Sequence, residues 1–481
     1  MELDRISNLE NDITQKIFSY LSIKEAARTS VLSKNWSHKW IVPPCLVFDD
    51  ENGLSTETIV SHVLLLHNGP IDSFKLSSRK DLDPNDIDQW IHYLSINSIK
   101  EIIVKKRNRY SSSYSISSNL FSCQDLTHLE LYNCLLQPPS TLKGFGMLKS
   151  LHIRRVTVTR DVLEEVISHS PLLEKIILCK LGIRHLKIDA PNVSFLELRG
   201  GFEDVELENT INLVEVSIDQ KRGSTNSSSL LKFFFKLPRI ERLTLQDSFL
   251  EGANGSLPKK LPEPCLCLNF LSISIRLNNL EDISTAMCLL RSSPALQELE
   301  ISVQQDQHVA DAAEVTGWLN DKQNRPFTQL RILKVTGFSC VKAEMDFIVF
   351  LLLSSPALQQ LEISFGRKAV EVVDFSWIYD NQNNGAFMQL RLVKVTGLSG
   401  SKAQANFIRI LLSSTSTTLE RLTLQPAASA KELWELFKLL GEFINRVSVP
   451  AVVLEFLDPS NSVQESDDSS SSSDSDDDIG F

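Results

Sequence analysis

Residues 126–136 of this 481-residue chain read LTHLELYNCLL. The leucines at positions 126, 129, 131 and 136 and the cysteine at position 134 have the spacing L-x-x-L-x-L-x-x-C-x-L, which is typical of a leucine-rich repeat. In such a repeat the central leucines lie on a β-strand and point into a core that only neighbouring repeats can complete. The stretch therefore predicts that similar segments occur elsewhere in the chain.

Shorter copies of the pattern recur along most of the chain. Each copy has the core L-x-x-L-x-L, with isoleucine, valine or phenylalanine in place of some leucines. The first and last of the fourteen copies are 348 residues apart, so the mean period is about 27 residues, inside the ~20–29 residues of this repeat class. The central positions of the copies are Phe74, Ile102, Leu129, Leu151, Ile176, Leu196, Val216, Leu243, Leu271, Leu299, Leu333, Leu361, Val393 and Leu422.

Prolines mark the connections between the copies. Pro171, Pro238, Pro294 and Pro356 each follow an apolar stretch of helical character and stand just before the next copy. Proline ends a helix and favours an extended chain before it, so each repeat is predicted to run strand, loop, helix. We therefore predict an α/β fold in which residues 46–457 form a curved leucine-rich-repeat solenoid, with a parallel sheet on its concave side and helices on its convex side.

The repeat period is shorter between residues 176 and 216, where successive copies are 20 residues apart. Matches at half the period also occur there, at Leu186-x-Ile188 and Val205-x-Leu207. A coil this short has little room for a helix. We predict short strands on both faces of the solenoid in this part, with little or no helix.

Residues 327–364 and 387–424 repeat one another. FTQLRILKVTG (residues 327–337) returns as FMQLRLVKVTG (residues 387–397), sixty residues later. The similarity indicates a tandem duplication of a block of two repeats. The asparagine-rich segment 380–385 is predicted to be a loop between the blocks.

The first forty residues follow a different pattern. Ile13, Ile17 and Leu21 fall on one face of a helix, a second helix is predicted over residues 26–31, and two tryptophans follow four residues apart. This indicates a three-helix unit over residues 1–45. A unit of about 40 residues buries too little surface to be very stable alone, so we expect it to bind a partner.

The same residues resemble the F-box of the plant F-box/FBD/LRR-repeat protein family. The similar segments are DRISNL (residues 4–9), IFSYL (17–21) and KEAARTSVLSKNW (24–36), followed by Trp40. The blocks 327–364 and 387–424 resemble the FBD-type module of that family. Two prolines of the usual F-box are replaced here, at Leu9-Glu10 and at Leu21-Ser22-Ile23.

The resemblance implies a role as substrate-recognition adaptor of an SCF-type ubiquitin ligase. The F-box would dock on a Skp-family linker, which hangs from a cullin, and the repeats would hold an unknown protein substrate. The residues expected to bind the linker are Leu9, Ile13, Ile17, Leu21, Val31, Leu32 and Trp36. A different class of function stays open: a leucine-rich-repeat scaffold or ligand sensor that works outside any ligase with a degenerate F-box.

The outward positions of the predicted concave strands are the expected substrate-binding surface. Their charges are basic in the middle of the solenoid and mixed later. Because the basic cluster is sparse, a solvated or protein-binding surface is favoured over a polyphosphate site. These positions are Tyr132, Arg154, Lys187, Arg199, Arg242, Gln246, Glu300, Glu362 and Lys394. The basic run at 105–109 either marks a nuclear localisation signal or is a solvated loop, and Cys134 is expected to satisfy the backbone of a loop between repeats.

Composition and charge exclude several other functions. The chain is 42% hydrophobic and 23% charged, which is ordinary for a globular protein. No apolar run reaches the ~18 residues that span a membrane, and no apolar signal segment opens the chain. We therefore expect no membrane binding, a location in the nucleus or cytoplasm, and eight reduced cysteines. Glycine-rich phosphate loops, nucleophile motifs and zinc-binding histidine pairs do not occur, so we expect no enzymatic activity, cofactor or metal.

The net charge of −11 is concentrated near the end of the chain. Seven acids and no bases lie between Glu465 and Asp478, which leaves −4 for the rest and does not suggest a nucleic-acid-binding protein. Residues 458–481 are predicted to be a disordered acidic tail. Ser471, Ser473 and Ser475 each precede an aspartate by three residues, so they are candidate phosphorylation sites for an acidophilic kinase; a merely solubilising tail is the alternative.

Overall fold

A computed structural model of the chain describes residues 9–49, 56–107, 114–220, 233–234, 237–247, 258, 260–304, 327–366, 389–427 and 453–457, apart from positions 19, 22, 33–35, 37–38, 140–141, 143, 278 and 416–417. The chain divides into two compact units. Unit 1 comprises Met1–Ser274 and Ser284–Ser293, and unit 2 comprises Ile275–Ile283 and Pro294–Phe481. The predicted acidic tail, with its three candidate serines, lies outside the described residues.

Twenty strands and eight α-helices lie in the described part of the chain. The strands are β1 Cys45–Asp49, β2 Ser73–Ser78, β3 Glu101–Lys106, β4 Tyr114–Ile116, β5 His128–Tyr132, β6 Cys134–Leu136, β7 Ser150–Arg154, β8 Lys175–Cys179, β9 His185–Asp189, β10 Phe195–Gly200, β11 Asp204–Glu208, β12 Glu215–Gln220, β13 Arg242–Asp247, β14 Phe270–Ile275, β15 Glu298–Val303, β16 Ile332–Phe338, β17 Gln360–Phe365, β18 Leu392–Leu398, β19 Arg421–Pro426 and β20 Val453–Phe456. The helices are α1 Asn11–Phe18, α2 Ile23–Arg28, α3 Thr56–Leu66, α4 Pro84–Ile96, α5 Arg160–Ser168, α6 Leu280–Ser292, α7 Lys342–Ser354 and α8 Lys402–Thr415.

The main sheet of unit 1 is parallel and in register. Its strand order is β1-β2-β3-β5-β7-β8-β10-β12-β13-β14. The central residues of the repeats are directly opposite one another, in the order Leu46, Phe74, Ile102, Leu129, Leu151, Ile176, Leu196, Val216, Leu243 and Leu271. The predicted repeat positions are confirmed, and the structure adds Leu46, one repeat earlier than the sequence pattern placed the first copy.

Alternation along each strand explains why the ladder forms. In β5 and β7 the exposure pattern is intermediate–buried–intermediate–buried–intermediate, so the second and fourth side chains face the core. Leu129 is 2% exposed and Leu151 is 0% exposed. Complete burial of one such aliphatic side chain stabilises a fold by about 1.5–3 kcal/mol, and only an adjacent repeat can provide it. The outward side chains define the open face of the sheet.

Unit 1 has a second layer beside its main sheet, and this layer contains both helices and short strands. Helices α3 and α4 are joined by the Trp90 indole, which donates to the hydroxyl of Ser61 at 3.0 Å. Further along, β4 pairs with β6 and β9 pairs with β11, in two small parallel sheets. Between residues 176 and 216, all of which the structure describes, there is no helix. The predicted two-faced strand arrangement is confirmed there, and the β4–β6 sheet is an addition.

Unit 2 contains the duplicated block. Its sheet is parallel, with strand order β15-β16-β17-β18-β19-β20 and with Leu299, Leu333, Leu361, Val393, Leu422 and Leu454 in register. Strands β16 and β18 begin sixty residues apart, and so do helices α7 and α8. Each copy of the block therefore folds as strand, helix, strand.

The turn after the first strand of each block depends on glycine. Gly337 has φ +76° and Gly397 has φ +73°, in the left-handed region that side chains disfavour. A Cβ atom on Gly337 would lie 2.6 Å from the carbonyl oxygen of Val303, and one on Gly397 would lie 2.7 Å from that of Phe365. The sheet register shifts at these points, as at a β-bulge. At the bulge the chain leaves the strand and turns toward the following helix.

The third residue of the following helix holds that turn. In the first block the Glu344 carboxylate accepts from the backbone N–H of Ser339 at 2.7 Å and from its hydroxyl at 2.8 Å. In the second block Gln404 Oε1 accepts from the backbone N–H groups of Ser399 at 3.0 Å and Gly400 at 3.2 Å. A neutral amide and a carboxylate therefore perform the same task. Burial raises the pKa of the Glu344 carboxyl above its ordinary value, against the effect of these hydrogen bonds.

We expect Glu344→Gln to change how stability depends on pH. Because the pKa of Glu344 is higher in the folded state than in the unfolded chain, the folded state holds its proton more tightly. Stability is then lost as the pH rises from about 4.5 through the folded pKa. The glutamine variant has no such loss, so its thermal midpoint should exceed the parent's by a margin that grows from acidic to neutral pH. Glu281→Gln, at an exposed first-turn position of α6, is the control. Equal pH profiles for parent and Glu344→Gln would contradict the expectation.

Candidate functional site

The F-box region has a small core built around one tryptophan. Phe18, Ala26 and Trp36 are buried at 3%, 3% and 2% exposure, and the rings of Phe18 and Trp36 are 5.4 Å apart between centroids. Leu9, Ile17, Leu21 and Trp40 pack around them, half-buried. Trp36 was expected among the linker-binding residues. The structure corrects this, because a side chain enclosed by Phe18 and Ala26 offers no surface to a partner.

Four large apolar side chains of the same region are exposed. Ile13 is 48% exposed, Tyr20 79%, Val31 85% and Leu32 60%. We call them the exposed F-box residues. Three of them were among the expected linker-binding residues, and Tyr20 was not, although an aromatic side chain directly between Ser19 and Leu21 of IFSYL was a usable signal. Several large apolar side chains left in water on so small a unit indicate a protein-binding surface.

Most of the expected substrate-facing residues of unit 1 do lie on the open face. Tyr132, Arg154, Arg199 and the pair Arg242 and Gln246 occupy outward positions of β5, β7, β10 and β13. Each alternates with buried leucine or isoleucine neighbours in its strand. These residues therefore lie on the face where the sequence pattern placed them, and their role in substrate binding stays a prediction.

Lys187 is not on the open face, so its prediction was wrong. It lies in β9, which pairs with β11 and not with the main sheet. Its ammonium pairs with Glu208 at 2.9 Å, and its backbone N–H donates to Glu164 of α5 at 2.8 Å. The half-period match Leu186-x-Ile188 marks a strand of the second layer of unit 1, and the outward side chains of that strand do not belong to the main sheet.

A network centred on Glu130 occupies the open face between β3 and β7. Its carboxylate meets the Lys105 ammonium at 2.8 Å, His128 Nε2 at 3.1 Å and His152 Nδ1 at 3.9 Å. Burial alone would raise the pKa of Glu130, but hydrogen bonds from His128, His152 and Lys105 hold it well below its ordinary value. The carboxylate is therefore ionised, and it fixes three neighbouring side chains. The sequence analysis did not single out Glu130.

Tyr132 is held in one orientation by this network. The Lys105 ammonium lies 4.8 Å from the centre of its ring, and the ring of His152 lies 4.9 Å away, edge-on. Its hydroxyl is 3.1 Å from His152 Nδ1. Burial and the Glu130 charge both raise the pKa of the Tyr132 phenol, so it stays neutral.

The open face of unit 2 carries a mixed charge pattern, as predicted. Lys334 lies between Glu298 at 2.8 Å and Glu300 at 2.9 Å. Burial would lower the pKa of Lys334, but its hydrogen bonds to the two carboxylates raise it. Glu362 accepts from the side-chain amide of Gln360 at 2.6 Å, and Lys394 is on the neighbouring strand. Lys334 was missed, although it is the counterpart of Lys394 sixty residues earlier.

The described part of the basic run at 105–109 is engaged in ion pairs. Lys105 pairs with Glu130, buried Lys106 pairs with Asp81 at 2.5 Å, and Arg107 pairs with Asp49 at 3.1 Å. Three cations committed to the fold in this way are not a free, extended localisation signal. Arg109 lies outside the described residues.

Cys134 does not have the role expected for it. Its side chain is fully buried in β6 against Tyr114, and burial raises the pKa of its thiol to about 12. The loop backbone is instead held by Asn133, whose side-chain amide donates to the carbonyl of Lys106 and whose φ of +56° turns the chain. Asparagine tolerates this left-handed conformation better than most residues.

Metal and membrane sites find no support in the described part of the chain. No group of three or more histidine, cysteine or acidic side chains is arranged there to hold a metal ion. None of the described helices is both long and apolar enough to cross a bilayer.

Known proteins share both parts of this architecture. The model of the F-box domain matches residues 6–46, and the model of the LRR repeats of the FBD-associated F-box protein At5g56370 matches residues 87–301. The F-box/FBD/LRR-repeat protein At1g13570 of Arabidopsis thaliana is 34% identical over 381 residues, which cover 75% of this chain and 91% of that protein. The chain belongs to the plant F-box/FBD/LRR-repeat protein family.

A second relative has a lower identity to this chain. The FBD-associated F-box protein At5g38590 of Arabidopsis thaliana is 26% identical over 400 residues, which cover 76% of this chain and 94% of that protein. Among solved structures, an internalin from Listeria monocytogenes aligns with 84% of this chain and 90% of its own, with 12% identity and a TM-score of 0.28. The family assignment rests on the sequence matches.

Proposed function

We propose that this protein is the substrate-recognition adaptor of an SCF-type ubiquitin ligase. Its F-box docks on a Skp-family linker, which carries a cullin, and its repeats bind a protein substrate for ubiquitination. The protein itself supplies no chemistry. Its contribution is to hold the substrate near the ubiquitin-transferring subunits, which raises the effective concentration of the reacting groups. These partners imply a location in the nucleus or cytoplasm.

The exposure of Val31 and Leu32 is the observation that carries this proposal. The core of the F-box is complete without them, since Phe18, Ala26 and Trp36 already fill it. Side chains that are 85% and 60% exposed contribute little to the stability of the folded chain by itself. Burial against a partner would release the free energy of about 25 cal/mol per Å² of apolar surface. Leu9, Ile17 and Leu21, which were also expected to bind the linker, are half-buried against the core.

The open face supports the substrate-binding half of the proposal. Charged, polar and aromatic side chains lie on it: Tyr132 is on β5, Arg199 is on β10, and Arg242 and Gln246 are both on β13 of unit 1. The unit 2 strands add Glu300, Glu362 and Lys394. Such mixed surfaces with tyrosine and arginine are typical of protein interfaces, which gain specificity from charge complementarity.

One observation favours the alternative of a scaffold or sensor outside any ligase. Glu10 stands where the usual F-box has proline, and its side chain is exposed. A carboxylate at the edge of a linker interface weakens binding unless it finds a cation, because burying an unpaired charge is costly. Capture of a Skp-family linker by the full-length chain decides between the two functions.

We expect Val31→Asp and Leu32→Asp to abolish capture of a Skp-family linker by the full-length chain. A charge placed in an apolar contact should weaken binding by a factor of at least about 100, while the thermal midpoint stays unchanged because both side chains are exposed. Leu65→Asp is the matched control, since Leu65 is an equally exposed apolar residue (83%) on α3, outside the F-box. Co-elution and titration calorimetry provide the readout. A parent chain that binds no linker, or F-box variants that bind as the parent does, would rule out the adaptor role.

A further inference from the structure

Five outward side chains form one row across the open face of unit 1. Lys105, Tyr132, Arg154, Cys179 and Arg199 are successive register partners on β3, β5, β7, β8 and β10. Neighbouring strands are ~4.8 Å apart, so the row is about 20 Å long. We call it the Tyr132 row. Its length suits a short extended segment of another protein.

Arg154 differs from the other cations of this face. Among the described strands of unit 1, Lys75 pairs with Glu101 at 3.0 Å, Lys105 with Glu130 at 2.8 Å and Arg199 with Glu197 at 2.5 Å. The remaining cations stack on rings, Lys175 at 4.8 Å from the centre of Phe195 and Arg242 at 3.8 Å from that of Phe270. Arg154 has neither an acidic partner within 4.0 Å nor a ring beneath it in the described structure.

The surroundings of Arg154 are already ordered. Tyr132, its register partner on one side, is fixed by Lys105 and His152. On the other side Cys179, the register partner of both Arg154 and Arg199, is buried and carries no charge that would pair with Arg154. A site whose side chains are held before binding loses little conformational entropy when a ligand arrives.

Local charges decide which anion fits. Glu130 and Glu197 flank the row, and each is 15% exposed and already neutralised by its own cation. A single unpaired guanidinium balances a single negative charge, and it can donate two parallel hydrogen bonds to the oxygens of a planar carboxylate. A dianionic phosphate would bring a second negative charge toward Glu130 and Glu197, and the described strands offer no further unpaired cation to the row.

We propose that the Tyr132 row binds an acidic segment of the substrate protein, with an aspartate or glutamate carboxylate on Arg154 and an adjacent apolar side chain on the Tyr132 ring. This inference rests on the proposed function, because it assigns the class of substrate that the adaptor's open face receives. It names a carboxylate as the charged group of that segment.

The test selects peptides with the full-length chain. A phage library of random linear peptides is enriched on the parent, and the best peptide is synthesised together with its Asn/Gln and phosphoserine counterparts. We expect enrichment of an acidic residue beside an apolar one. Arg154→Ala should weaken binding of the acidic peptide by about tenfold or more. Lys187→Ala, which removes one positive charge from the β9–β11 sheet, should bind as the parent does.

A double-mutant cycle ties the effect to one pair. The Asn/Gln peptide should bind the parent weakly, and it should lose little further affinity with Arg154→Ala, because the same contact is already gone. Three results would overturn the proposal: no acidic enrichment, equal binding by parent and Arg154→Ala, or tighter Arg154-dependent binding of the phosphoserine peptide. Linker capture by the same preparations is measured in parallel. Its failure would refute the adaptor role, whereas its success with failed peptide selection would refute only the Tyr132 row.

Discussion

Replacing Trp36 by alanine is expected to unfold the F-box and to leave the strands of the repeats folded. Trp36 is 2% exposed and packs on Phe18 in a core of very few side chains. Removing a fully buried tryptophan side chain costs about 3–5 kcal/mol. A unit of about 40 residues rarely has more than that in reserve, so the loss exceeds what its core supplies. Linker capture should disappear with it.

Hydrogen–deuterium exchange measures this result without relying on any partner. In Trp36→Ala the amides of α1 should exchange rapidly, while those of β5, β7 and β8 keep the parent's protection. Trp36→Phe, which retains a ring against Phe18, should fall between the two. Unchanged protection of α1 in Trp36→Ala would show that the other F-box residues suffice to hold it.

Gly337→Ala is expected to destabilise unit 2 strongly. An alanine at φ +76° pays about 1–2 kcal/mol for the left-handed conformation. Its Cβ would also meet the carbonyl oxygen of Val303 at 2.6 Å, and a backbone atom of a paired strand cannot easily move away. We expect a total loss of roughly 3 kcal/mol or more, since strained backbone positions cost ~1–3 kcal/mol even without a clash.

A second glycine provides the control. Gly182 has no neighbouring atom within 4 Å of an added Cβ, so Gly182→Ala should leave stability unchanged or slightly higher. Urea denaturation followed by circular dichroism compares the variants. A Gly337→Ala chain as stable as Gly182→Ala would mean that the bulge can relax into another conformation. Gly397→Ala should repeat the loss, because its conformation and its contact with Phe365 are nearly the same.

The ladder of repeats was predictable because a buried strand position tolerates few residue types. Leucine, isoleucine and valine recur at fixed spacing wherever two repeats share a core, so the register from Phe74 to Leu271 could be read directly. Leu46 escaped because the chain before it belongs to the F-box and supplies no complete repeat. Lys187 was misplaced for a related reason: a strand of the second layer has the same alternation as one of the main sheet, and alternation alone does not say to which sheet a strand belongs.

The binding surfaces were less predictable, because they depend on which polar groups meet across strands. Tyr132 is held by Lys105 and His152, which are far from it in the sequence, and the sequence around Arg154 does not show that Arg154 lacks a partner. Glu130 contacts Lys105 and two histidines, and these three residues lie on three different strands. No local sequence pattern predicts such contacts between strands. Trp36 and Val31 are both apolar residues of one short helical region. Only the packing shows that Trp36 fills the core and that Val31 remains outside it.

The duplicated block of unit 2 shows how the open face of the sheet can be extended while the other strands stay unchanged. Each strand pairs only with its two neighbours, and both copies of the block enter the sheet with the same phase. A copied block therefore brings its own bulge glycine, its own turn-holding residue and its own share of the core. The insertion lengthens the open face by two strands, or about 10 Å. In all the remaining strands the alternation of buried and outward side chains is unchanged. Once copied, the outward residues are free to diverge, as Glu362 in one block and its counterpart Thr423 in the other already have, so unequal recombination can change the chemistry of the open face while the F-box stays constant.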